Sequence, residues 1–195
     1  MIDLPPQPTY QQTIAAVSAC GIAAANIRIS YEEELQSDVV EISDAGMATD
    51  ETWLCLLRAI HPFFILELAN PDQRQAYYLV AERERKKQAR AEARIWLSER
   101  AMLEKVPVYR TDFGVPRFAR EVEAACSLEP GSALQVVGAT LLTIRREFVQ
   151  RILEEPAADE MICLLHIVAA SNAHEEGIRL GFFGNEAVPE TGAER

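Results

Sequence analysis

Histidine, lysine and cysteine are all scarce in this chain, and none of them clusters as local chemistry would require. The 195 residues include 3 His, 4 Cys and 3 Lys against 16 Arg. Cys20, Cys55, Cys126 and Cys163 lie far apart. No C-x-x-C pair and no H-E-x-x-H segment occurs, so the common dithiol and local zinc signatures are absent. The phosphate cradle G-x-x-x-x-G-K-[ST], the dinucleotide turn G-x-G-x-x-G and the nucleophile elbow G-x-S-x-G are missing as well.

Long apolar runs are also missing. The best stretch, 161–170, is interrupted by His166, and a bilayer span needs about 20 residues. The first residues, MIDLPPQP, place an acid where a secretory leader needs a basic segment followed by an apolar one. A chain of this size does not need disulfides to compensate for a small core. The expectation is a cytoplasmic protein with reduced cysteines and no membrane span, and the Arg and Ala bias suits a bacterial genome.

Half of the residues are apolar and a quarter charged, a balance that folds into a globular core. The charge is unevenly placed. Residues 1–69 carry 2 basic and 10 acidic side chains, residues 70–120 carry 12 and 7, and residues 121–195 carry 5 and 13. A cationic centre thus sits between two acidic flanks whose sign opposes nucleic acid and anionic lipid.

Helix signals dominate the pattern. Thr9 with Gln12 reads as a capping box for a short helix that Gly21 ends. Alternating Ile27, Ile29 and Tyr31, then Val39, Val40 and Ile42, fit a small hairpin, with a helical turn over 32–36 as the competitor. Thr49 caps a second helix ending near His61, and 63–68 reads either as buried strand or as continued helix. Asn70, Pro71 and Gln73 start a long helix of about 30 residues, near 71–103. Further helices are expected over 117–126, over 134–153 behind a Ser132/Gln135 capping box, and over 158–173 before Gly177. Phe182 and Phe183 read as anchors for the end of the chain, and 185–195 as a disordered tail. No internal repeat is apparent. The fold class expected is mainly α, or α+β with a minor N-terminal β-hairpin, in a single domain over 1–184.

The long helix is the richest feature. Residues 72–103 would span roughly 48 Å, whereas a globule of this length has a diameter of only about 40 Å. The helix must project, bend or pack along a partner. Its centre, ERERKKQARAEAR, has no large apolar residue. At about 100° per residue, Tyr77, Ala81, Ala91, Ile95 and Met102 share an apolar stripe, and Arg83, Lys87, Arg90 and Arg94 share a cationic one beside it. Four aligned cations call for an anionic counterpart: the protein's own carboxylates, a second copy's, or phosphate.

Other groups with chemical potential read as structural. Cys163 and His166 lie three apart on a helix and fit its core, and His174 suits an exposed helix end. Cys55 with His61 could pair as thiolate and base, but WLCLL makes Cys55 a buried hydrophobe. Glu32, Glu33, Glu34, Asp38, Glu41 and Asp44 lack the spacing of a calcium loop and read as a solvated surface. The sequence therefore predicts no catalytic residue, metal or cofactor. It predicts an interaction or regulatory module that self-associates or binds a protein partner through the long helix. Nucleic-acid binding through the cationic stripe is the first alternative, and an enzyme or small-ligand binder without a local motif is the second.

Overall fold

The computed structural model describes residues 6–154 and 158–182. Anchoring by Phe183 and the 185–195 tail fall outside those residues. The chain divides into two compact units, Met1–Arg85 and Lys86–Arg195. The described residues are mixed α+β, about 52% helical, with two small sheets and one long helix.

The first unit opens with α1 (Tyr10–Ala19), started by the expected Thr9/Gln12 capping box. The hairpin β1 (Ile27–Glu32) and β2 (Ser37–Ile42) follows, with Ile27 opposite Ile42. Gln36, at φ 48°, turns the chain between them; the segment 32–36 is therefore a strand end and a turn, not a helix. Next comes α2 (Asp50–Ile60), capped by Thr49 and ending at His61 as its sequence signals require. The ambiguous run resolves as strand β3 (Ile65–Leu68), parallel to β2 with Val39 beside Ile65. A parallel neighbour cannot be reached by a tight hairpin, so α2 serves as the crossover.

Alternation along the strands decides which side faces the core. Ile27, Ile42 and Leu68 form one cross-sheet row and Ile29, Val40 and Leu66 the next, both packed with Val17, Trp53, Leu56 and Ile60. Val17, Val40, Ile42, Leu56, Ile60 and Leu68 are fully buried, and each such aliphatic side chain contributes about 1.5–3 kcal/mol. Arg28, Glu41 and Glu67 form the corresponding row on the opposite face.

Helix α3 (Pro71–Glu99) runs 29 residues. Asn70 caps it, its side-chain oxygen accepting from the Asp72 and Gln73 amides. Gln73 does not complete a capping box. Its amide side chain instead donates to Asp44 and to the Gly46 carbonyl, and accepts from the Ala45 amide, tying the helix start to the loop before α2. Arg74 donates from Nε and Nη2 to the Leu68 carbonyl, at 3.2 and 2.8 Å. The helix stops earlier than expected. Ala101 adopts φ 54° and the Met102 amide returns to the Leu97 carbonyl, the closure of a Schellman motif.

The second unit contains α4 (Gly114–Ala125), β4 (Leu134–Val137), β5 (Leu141–Ile144), α5 (Arg146–Glu154), α6 (Ala158–Ala170) and β6 (Arg179–Phe182). The single helix expected over 134–153 is wrong. Its first half is an antiparallel hairpin with Leu134 opposite Ile144, turned at Gly138 with φ 64°. Gln135 consequently lies in a strand rather than a capping box. The β content is therefore not confined to the N-terminal hairpin. Strand β6 lies parallel to β5, and α5 and α6 fill the crossover. Leu134, Leu142 and Ile144 pack with Phe118, Val122, Leu164 and Ile167 to form this unit's own core.

The four cysteines are not reduced. Cys20 is bonded to Cys55 and Cys126 to Cys163, with Cα separations of 5.6 and 5.8 Å. Sequence distance conceals both pairs because the bonded cysteines lie 35 and 37 positions apart. Among the described residues no helix is long and apolar enough to cross a membrane.

Candidate functional site

The expected cationic stripe does not behave as one surface. Arg83 pairs with Asp50 of α2 at 2.7 Å, both side chains being about two-thirds exposed. A pair so solvated contributes little, on the order of 0–1 kcal/mol. Arg90 is half-buried and pairs with Glu175, in the segment after α6. Lys87 and Arg94 are exposed. Arg83 and Arg90 therefore meet carboxylates of the chain's own acidic flanks.

The apolar stripe is divided too. Tyr77 is partly buried, in edge contact with Trp53, and Ala81 is buried. Ala91 is exposed, Ile95 is 61% exposed, and Met102 packs beyond the helix end against the second core. Side chains outside that stripe also bury each end of α3, Ala76 and Val80 in one unit, Ala93 and Leu97 in the other. Around Ile95 a shallow groove of about 400 Å³ is lined by Arg94, Ser98, Glu99 and Leu103.

Sequence reasoning missed three further arrangements. His166 stacks on Trp96 at 4.6 Å, and the Arg100 guanidinium lies 3.9 Å from the same indole. Burial, then the Arg100 charge, hold the imidazole below its ordinary pKa, with Glu92 opposing. Glu123 is buried and accepts from the Gly131, Ala133 and Leu134 amides at 2.6, 2.9 and 2.8 Å, so its carboxylate organises the turn into β4. A cavity of about 660 Å³ lies at the first sheet and is lined by Arg28, Glu41, Glu67 and Arg74 among others. The corresponding row of the second sheet is Gln135, Thr143 and Gly181. Thr143 there is buried, and its hydroxyl has no partner among the described residues.

The remaining candidates sort plainly. Cys55 and Cys163 have no thiol to activate, being disulfide-bonded. Asp38 accepts from Tyr10 and Gln7. Asp44 accepts from the Gly46 amide and from Gln73, which lower its pKa. His174 is exposed. Among the described residues no group of His, Cys, Asp or Glu is arranged to hold a metal. Comparison with protein-family models, with curated proteins and with solved structures finds no match in any of the three.

Proposed function

We propose that the chain is a non-enzymatic interaction module that pairs with a second copy of itself through the second half of α3. The observation that carries this reading is Ile95, a large aliphatic residue 61% exposed in the second half of the helix, where most of its exposed neighbours are charged. Ala91, Ile95 and Ser98 follow the 4,3 spacing of a heptad seam, and Arg94 and Glu99 flank it. In a parallel two-fold pair a flanking residue meets the one five positions on in the partner. Arg94 then faces Glu99 of the second copy, and Lys87 faces Glu92. The pattern is self-complementary, as an isologous contact requires.

The test is a charge swap read as solution mass by light scattering at low salt. Arg94→Glu and Glu99→Arg should each shift the chain toward monomer, and the double variant should restore the dimer. Ile95→Asp should give monomer without loss of helical signal. A wild-type chain that stays monomeric up to about 0.1 mM, or a double variant no better than either single one, overturns the reading. Nucleic-acid binding draws less support, because Arg83 and Arg90 already face Asp50 and Glu175.

A further inference from the structure

We infer that the chain is one αββαβ unit built twice, and that the disulfide each copy carries is a permanent staple of the working protein. The first support is topology. In both units a helix leads into an antiparallel hairpin, and a helical crossover returns the third strand parallel to the second, giving orders β1-β2-β3 and β4-β5-β6. Among the described residues the second unit adds α5 before its crossover helix, and the first adds a short 3-10 turn, Ala24–Asn26, before its hairpin.

Register makes the correspondence residue by residue. The row Ile27–Ile42–Leu68 matches Leu134–Ile144–Phe182. One residue past each hairpin, the Ser43 amide donates to the Asn26 carbonyl and the Arg145 amide to the Ala133 carbonyl, at 3.0 and 2.8 Å.

The disulfides occupy matching places. Cys20 is the C-cap of α1 and Cys126 the C-cap of α4. The residue after each turns left-handed, Gly21 at φ 91° and Ser127 at φ 61°, and an apolar residue follows to join the core, Ile22 or Leu128. The partners, Cys55 and Cys163, lie on the crossover helices α2 and α6. Each bond thus fastens the exit of the first helix to the crossover, the two pieces that cover one face of the sheet. Each bond closes by loss of two thiol protons and of two electrons to an exchange partner's disulfide, which leaves as a dithiol. Two equivalent bonds of this kind point to an environment that does not reduce them.

The primary test traps thiols with a maleimide as the native cells are lysed, then maps the peptides of the full chain. The expected result is no label on any of the four cysteines and two linked pairs, Cys20 with Cys55 and Cys126 with Cys163. Label on the cysteines, or a bond joining the two units, overturns the inference. A second measurement compares Cys20→Ala with Cys55→Ala against Cys126→Ala with Cys163→Ala. Each double variant should lower the melting temperature by roughly 10 °C, to a similar extent. An unchanged melting temperature for either overturns equivalence of the two staples, and the thiol map of the unaltered chain stands whether or not the variants fold.

Discussion

At Glu123 a single carboxylate satisfies three backbone amides at the entrance to β4, inside a core that would otherwise reject its charge. A charge-assisted hydrogen bond is worth about 1.5–3 kcal/mol, and a buried donor left without an acceptor costs its desolvation. Glutamine keeps one acceptor oxygen and turns an NH₂ group toward amides that are themselves donors. Glu123→Gln should lower the unfolding free energy by about 2–4 kcal/mol in a denaturant titration, and a loss below about 0.5 kcal/mol would remove the carboxylate from this role. The two left-handed helix exits offer a paired test. Gly21→Ala places a Cβ at φ 91° and should destabilise by about 1 kcal/mol. Ser127→Gly relieves the same conformation and should stabilise by about 0.5–1 kcal/mol. Equal signs for the two would contradict the correspondence of these positions.

His166 carries the pH dependence at this scale. Its pKa is held below the ordinary 6.5, by burial first and then by Arg100. The unfolded chain therefore binds that proton more readily than the folded one. The associated stability is present above pH 6.5 and declines as pH falls through that value toward the lower folded pKa. A proton NMR titration of His166 should give a midpoint under 6.5, and His166→Phe should flatten the stability loss between pH 7.5 and pH 5. A midpoint at or above 6.5 would contradict the stacked geometry.

Among the elements, the helices with local start and stop chemistry were legible in the sequence. Thr9, Thr49 and Asn70 cap the helices they announce, because capping is satisfied within one turn. The stretch 134–153 was not. Leu134, Val136, Leu142 and Ile144 are apolar at spacings that suit either period, and only pairing across Gly138 separates strand from helix. Such pairing is a tertiary outcome, favoured by the β-branched Val136, Val137, Thr143 and Ile144 once a face can be buried. In α3 the helix was legible, but its two stripes were not a guide to burial. A periodic pattern locates an apolar face only where one continuous core receives it, and this helix contributes to two.

For the whole molecule, the duplication left almost no trace in the residues, because a repeated fold preserves register and burial rather than identity. What the sequence does retain is a pair of short runs, ACGI and ACSL, each ending a helix. Their meaning depends on a long-range bond that sequence spacing does not disclose. In the chain-entropy account, closing loops of 35 and 37 residues restricts the unfolded chain by about 4 kcal/mol each. The sites share no partner, so the two losses should add on removing both bridges. Less than the sum would mean that reduced chains retain structure in one unit.

Arg74 gives the first sheet one more property. Strand β3 is a sheet edge of four residues, the kind of surface on which a stray strand can nucleate intermolecular growth. Its last carbonyl is already occupied by two guanidinium donors from the first turn of α3. The same helix start that follows the strand therefore also removes one acceptor that an added strand would need to pair with it.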